Sequence, residues 1–379
     1  MMQTCVRCIY DERVPRIVFD ENGVCNFCKM SDSLREQYKT GTKEGTETFE
    51  RMVEEIKMAG KGKKYDCVVG VSGGVDSSFM VHYCVQLGLR PLAVHYDNTW
   101  NTAIATENIR KVLSKLNIDL YTHIVDNKES DDIFKSFFYS DVPEIDAATD
   151  LGFAETHYRA ASKYGIKYVL EGHSFLQEGV SPLTTMYFDG MYIKDIHKKF
   201  GNIKIKTYPL MDFKSFMKWT VVKKIKKIRP YWYIHYTKAE AIKILEQEYG
   251  WQYYGGHHLE NRMSAFMHSY YLPTKFKIDQ RNNSLSALVR NGFMSREEAL
   301  RIYAQPPHLE TELVEYFKKR LGLSNVEFEK IMNRPGKSFL DYKTYKKRFE
   351  NMRPIFYMLA KANLVPMSFY LKYCFPLAK

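Results

Sequence analysis

The segment Val71-Ser72-Gly73-Gly74-Val75-Asp76-Ser77-Ser78 constrains this chain more than any other. It follows an apolar run, Cys67-Val68-Val69-Gly70, and precedes an amphipathic one, Phe79 to Leu87. A buried strand, a glycine turn and a helix opened by two serines make an anion cradle. Glycine lets the backbone approach a phosphate, and the first N–H groups of the helix point at it unpaired. This is not a Walker loop: no Gly-Lys-Ser/Thr follows, and an Asp sits inside the turn. The nearest such string, Gly336-Lys337-Ser338, lacks the upstream glycine. An ordinary Gly-Gly turn between strand and helix is the plain alternative.

Around the loop the chain alternates strand and helix. The runs 66–71, 91–96, 120–125 and 167–170 read as strands, and 102–116 has helical spacing. This predicts a parallel sheet covered by helices on both faces, with ligands beyond the carboxyl ends of the strands. Residues 72–78, Asp97-Asn98 and 171–178 then share one edge. A carboxylate beside a polyphosphate needs an intervening cation, so Asp76 implies Mg²⁺, with Glu178 as the second ligand. Ser72, Ser77 and Ser78 can donate hydroxyl protons to a bound anion. His95, Asp97, Gly172 and His173 are candidates for nucleotide contact, although a strand histidine such as His95 is as readily a packed one.

The first 35 residues carry Cys5-x-x-Cys8 and Cys25-x-x-Cys28, with sixteen residues between the pairs. Two such turns close a four-thiolate zinc site, and Phe19–Val24 reads as a hairpin entering the second knuckle. A site filled by four thiolates is closed, hence structural. The expected organisation is a zinc ribbon over 1–35, a connector over 36–64 with a helix from Thr48 to Met58, an α/β unit over 65–235, and a helical region over 236–379 that completes the substrate site. Residues 219–229, rich in lysine, read as a basic helix. Thr237 should cap a helix through Glu248, Ser295 and Ser324 should open short ones, and a helix should begin at His257.

Composition narrows the partners. A net charge of +12 with 28 Tyr and 23 Phe suits anionic ligands, RNA or a nucleoside diphosphate alike. No stretch has the length and apolarity of a membrane span, and no signal-peptide core opens the chain, so a cytoplasmic protein is expected.

The Ser-Gly-Gly-x-Asp-Ser pattern resembles the PP-loop of N-type ATP pyrophosphatases. In one order follow Glu171-Gly-His-Ser with Glu178-Gly179, Ile228-Arg-Pro, Tyr253-Tyr-Gly-Gly-His-His-Leu-Glu260-Asn-Arg262, and Tyr270-Tyr-Leu-Pro-Thr-Lys-Phe. With the two Cys-x-x-Cys pairs, this combination resembles the bacterial N-acetyl sugar amidotransferases of lipopolysaccharide O-antigen and flagellin-glycan biosynthesis, from Cys5 to about Asp341. The resemblance implies an adenine nucleotide alpha hydrolase-like fold binding ATP through Ser72–Ser78. It implies catalytic roles for Asp76, Ser77, His173, Glu178 and Arg262, and a UDP-linked N-acetylated sugar as substrate. The family commonly has Lys where this chain has His257. Ammonia would come from a separate glutaminase subunit with a cyclase-like channelling subunit, since none of Cys67, Cys84 and Cys374 looks like a glutaminase nucleophile. A PP-loop tRNA-thiolating enzyme is the rival reading, favoured by the charge but lacking a third cysteine pair near the loop. A non-catalytic ribbon scaffold is a further one.

Overall fold

The computed structural model describes residues 3–179, 187–256, 259–362, 364–365 and 367–375. Five strands, β1 (Cys67–Gly70), β2 (Pro91–Asp97), β3 (Leu120–Ile124), β4 (Tyr168–Leu170) and β5 (Lys226–Ile228), form one sheet in the order β3-β2-β1-β4-β5. Every pair is parallel. The chain winds outward from β1 through β3, then crosses back to place β4 on the other side of β1. The switch point between β1 and β4 is where such sheets open a crevice at their carboxyl edge.

The period-2 alternation of side chains divides β1 between two cores. Cys67 and Val69 face helices Lys43–Gly60, Val75–Gln86, Ala103–Leu116 and Lys238–Tyr249, through Phe49, Met80, Val112 and Leu245. Val68 faces Tyr158, Ala161, Trp219 and Ile225. A separate aromatic cluster, including Phe134, Phe138, Phe266, Phe317 and Phe328, joins helices after the sheet to helix Asn127–Tyr139. The helix ends expected from sequence are present: Thr237, Ser295 and Ser324 each accept from the backbone N–H three residues on.

Three local readings change. The basic segment is no helix through Arg229. The helix Phe213–Met217 extends with looser winding to Val222, and the chain then enters β5. Lys226 N–H donates to Lys167 O at 2.8 Å and Glu171 N–H to Ile228 O at 2.9 Å, so pairing with β4 overrides the helical pattern of the lysines. The connector is two helices, Asn26–Tyr38 and Lys43–Gly60, because Thr42 caps the second ahead of Thr48. The segment after Gly256 enters its helix at Arg262, where Asn261 caps the N–H groups of Met263 and Ser264, so Glu260 precedes it. His257 and His258 lie outside the described residues.

His157, on helix Ala147–Lys163, packs its ring against Gly70 at the end of β1, where any side chain would clash with it. It is 1 % exposed, and burial pushes its imidazole down to about 3. An unfolded histidine protonates near 6.5, so stability is full above that pH and lost as pH falls toward 3. His157→Phe is therefore expected to flatten this acid limb by up to ~1.4 kcal/mol per pH unit between pH 6 and 4, measured by denaturant titration across that range.

Candidate active site

The cradle is built as the sequence requires. Gly73 has φ +84°, and a Cβ there would lie 2.1 Å from Ala105 O. Gly73→Ala thus combines left-handed strain with a backbone clash. It is expected to cost roughly 2–4 kcal/mol, read as a lowered denaturation midpoint. The hydroxyls fold inward: Ser77 Oγ accepts from Ser72 N–H at 3.2 Å and Ser72 Oγ from Gly74 N–H at 3.3 Å. Ser78 is buried, and Val75 begins the helix. Behind the cup, His95 Nδ1 bonds Val71 O at 2.8 Å, and its Nε2 lies 3.2 Å from Asn101 Nδ2, so this histidine braces the end of β1. Asp97 Oδ1 accepts from Thr99 N–H at 2.7 Å and shapes the turn after β2.

Asp76 and Glu178 converge. Lys238 Nζ, at the first turn of helix Lys238–Tyr249, lies 3.0 Å from Asp76 Oδ2 and 3.3 Å from Glu178 Oε1. Tyr236 donates its hydroxyl to Asp76 Oδ1 at 2.6 Å, and Tyr231 donates to Asp76 O at 2.8 Å. The Tyr231 and Tyr236 rings stack 3.7 Å apart. Gly172 passes so close that a Cβ would stand 2.9 Å from Asp76 O. His173 Nε2 is 3.5 Å from Glu178 Oε2, and its Nδ1 accepts from Trp232 Nε1–H at 3.2 Å.

The electrostatics follow from burial. Burial, with Asp76 alongside, pushes Glu178 up to about 8. Burial alone would lower Lys238, but Asp76 and Glu178 hold it above its ordinary value. Burial, reinforced by Arg229, pushes His173 down to about 3, so its ring is neutral at physiological pH. Asp76 and Glu178 bring carboxyl oxygens to one point, where Lys238 Nζ is now the counter-ion, so a divalent cation held by this pair would take the place of the ammonium.

Sequence reasoning missed Lys238, Tyr231, Tyr236 and Tyr254. Tyr254 Oη and Glu260 Oε1 come within 3.0 and 3.3 Å of a Cβ placed on Gly74, so both overhang the cup. Burial pushes Glu260 up to about 7. The 260–262 segment is tied to the turn after β2: Thr102 N–H donates to Glu260 O at 2.9 Å and Arg262 N–H to Trp100 O at 2.8 Å. Asn261 Nδ2 bonds both Asn98 Oδ1, at 2.8 Å, and Asn101 Oδ1, at 3.0 Å. Arg262 is drawn over the Tyr316 ring, 4.7 Å from its centre, and among the described residues no ion pair joins it to Asp76 or Glu178. The run Tyr231 to Lys238, directly after the Ile228-Arg-Pro string, was the available signal.

At the N-terminus, Cys5, Cys8, Cys25 and Cys28 place their sulfurs within 4.8 Å of one another. The Cys5–Cys28, Cys8–Cys25 and Cys25–Cys28 separations are 3.9, 3.8 and 3.6 Å. A tetrahedral zinc with bonds of about 2.3 Å requires sulfurs about 3.8 Å apart, so the four thiolates fit that ion. Backbone N–H groups of Arg7 and Tyr10 donate to Cys5 and Cys8 Sγ, at 3.4 and 3.5 Å.

The chain is an α/β protein with a glycine turn opening helix Val75–Gln86 at the switch point, a four-cysteine cluster and a helical C-terminal region. Residues 260–354 match the model of the LPS biosynthesis protein WbpG-like, C-terminal domain. No curated protein matches the chain. Among solved structures, the NH3-dependent NAD synthetase from Campylobacter jejuni is 14% identical, covering 77% of this chain and 98% of its own, with a TM-score of 0.32. U34-tRNA thiolase NcsA from Methanococcus maripaludis is 12% identical, covering 86% and 100%, with a TM-score of 0.31. The NMN synthetase from Francisella tularensis is 16% identical, covering 56% and 88%, at 0.28. Among the described residues no helix is long and apolar enough to cross a membrane.

Proposed function

We propose that this chain is the ATP-dependent synthetase subunit of a sugar amidotransferase. It would convert the acetamido group of a UDP-linked N-acetylated sugar to an acetamidino group for surface-glycan biosynthesis. The convergence of the Ser72–Ser78 cup with Asp76, Glu178 and Lys238 carries the reading, and the match of residues 260–354 to a lipopolysaccharide-biosynthesis domain supports it.

An amide is a poor electrophile, so the reaction needs activation at oxygen. The acetamido oxygen attacks the α-phosphorus of ATP, and the bond to the β-phosphate oxygen breaks. An O-adenylyl imidate and pyrophosphate result. Ammonia then adds at the imidate carbon, a proton is lost, and AMP departs with the former amide oxygen. Serine hydroxyls and backbone N–H groups of the cup receive the pyrophosphate, and Lys238 stands ready to neutralise its charge. Asp76 and Glu178 would hold Mg²⁺, which when bound supplies further neutralisation. His173, neutral and accepting at Nδ1 from Trp232, carries its proton on Nε2 towards Glu178 and so positions that carboxyl group, while the proton released as ammonia adds leaves to solvent.

Cys67 and Cys84 touch inside the sheet core, and Cys374 is buried. With four thiols in the cluster, this favours ammonia delivered by a separate glutaminase, and it disfavours sulfur transfer to tRNA. The test is incubation with ATP, Mg²⁺, ammonium and a panel of UDP-diacetamido sugars, with nucleotide products resolved. AMP formation dependent on sugar and ammonium is expected, whereas ADP as the product would exclude the mechanism.

A further inference from the structure

Helix Arg353–Lys361 is apolar on both of its sides. Phe356 and Ala360, 0 % and 4 % exposed, point into an aromatic cluster with Phe349 and Tyr370. The Phe356 ring centre lies 5.7 Å from that of Phe349 and 5.2 Å from that of Phe369. The outer side consists of Pro354, Ile355, Tyr357, Met358 and Lys361, which recur at spacings of three and four and are all exposed. Ile355 is 47 % exposed, Tyr357 44 % and Met358 62 %. On the adjoining helix Met367–Tyr373, Leu371 is 46 % exposed and follows Tyr370, whose ring stands 5.4 Å from that of Tyr357.

Surface helices ordinarily turn charge outward. Helix Lys43–Gly60 does so, and Met58 alone is apolar among its exposed residues. A helix that is apolar all round and left uncovered marks a contact surface.

Charge indicates what it contacts. Among the described residues of 340–375, the exposed charges are Lys343, Lys347, Arg348, Arg353 and Lys361, against Asp341 alone. Lys346 is buried and pairs with Glu350 at 3.2 Å. No described carboxylate pairs with any of the five exposed cations. Arg348, Arg353 and Lys361 lie instead over the rings of Tyr345, Phe375 and Tyr357, 5.8, 4.0 and 5.5 Å from their centres. A second copy would set the same cations face to face, which disfavours self-pairing. A lipid surface has no such penalty. It admits apolar side chains below its headgroups, while long cationic side chains at the edge reach its phosphates.

We propose that the outer face of helix Arg353–Lys361 docks this chain on an anionic lipid surface, lying along it rather than spanning it. None of these residues belongs to the cup or to the cysteine cluster, so the inference is independent of the reaction proposed above. The test is co-sedimentation of the full chain with vesicles of phosphatidylcholine alone and of phosphatidylcholine with phosphatidylglycerol, at low and high salt. Binding to the anionic vesicles is expected to be at least about tenfold tighter than to the neutral ones and to weaken with salt. Ile355→Asp with Met358→Asp, and separately Arg348→Glu with Lys361→Glu, should each weaken it about tenfold, with circular dichroism unchanged. Lys43→Glu with Lys61→Glu, which alters net charge equally on another surface, should leave it within about twofold. Absence of binding to anionic vesicles would overturn the proposal. So would unaltered binding in the Ile355/Met358 variant, which would reduce the effect to adsorption by net charge. Light scattering that shows a dimer abolished by the Ile355/Met358 change would assign the face to a second copy and equally overturn it.

Discussion

Asp76→Asn is expected to reduce sugar-dependent AMP formation by about 10³-fold while leaving the fold intact. The asparagine keeps an oxygen for the Tyr236 hydroxyl, and the backbone carbonyl still accepts from Tyr231, so the position of the loop is preserved. What disappears is one of the two charges that meet at Lys238 Nζ. The loss acts twice. Divalent-ion affinity should fall about 10- to 100-fold, and Lys238 is drawn toward Glu178 and away from the departing pyrophosphate. Saturating Mg²⁺ should therefore restore only part of the rate. The measurement is AMP formation against Mg²⁺ concentration, with a thermal melt as the folding control. A variant within threefold of wild type at all Mg²⁺ concentrations would remove Asp76 from the site.

Cys25→Ser should abolish stoichiometric zinc and unfold the N-terminal ribbon. The local core there is small: Tyr10, Phe27 and the four cysteines, with Val14, Ile17, Phe19 and Val24 partly covered. Metal binding to four thiolates is worth ~10 kcal/mol or more, far beyond what those side chains supply. The damage should spread along a definite route. Arg290 stacks on Tyr10, 5.0 Å from its ring centre, and Arg296 Nε–H donates to Cys8 O at 3.2 Å. Tyr10 donates to Asn283 Oδ1 at 2.6 Å. These partners lie on helices Arg281–Arg290 and Arg296–Ala304. The first of them backs Gly179, next to Glu178, where a Cβ would come within 2.9 Å of Asn283 O. Elemental analysis should show one zinc per wild-type chain and none in the variant, and limited proteolysis should cut before Tyr38. Full zinc content in Cys25→Ser would refute the four-cysteine site.

The sheet was legible because its strands are short apolar runs bounded by glycine and charge, and four of the five stand out that way. β5 did not, since Lys226-Lys227-Ile228 carries two charges in three residues and is recognisable only once Glu171 and the β4 backbone are beside it. The cup was readable for a local reason: seven consecutive residues define it, and Gly73 has the positive φ that such a turn demands. Glu178 could be singled out by proximity to β4. Lys238 could not, because 162 positions of chain separate it from Asp76, and nothing local marks a helix-start lysine as reaching back to that carboxylate. His95 had two local readings, and its bond to Val71 O packs the ring against the end of β1.

From sequence alone came the α/β plan, the glycine turn before helix Val75–Gln86 and the thiolate quartet, because each depends on neighbours within a few turns of chain, where spacing dictates geometry. Which distant groups stand around the cup was settled only by the tertiary structure. The return of the chain to β4 and β5, and the docking of the segment after Tyr231, bring Lys238, Tyr236, Tyr254 and Glu260 to the switch point. Their electrostatic character then comes from burial and charge shared across that crevice, and such a field has no expression in the order of residues.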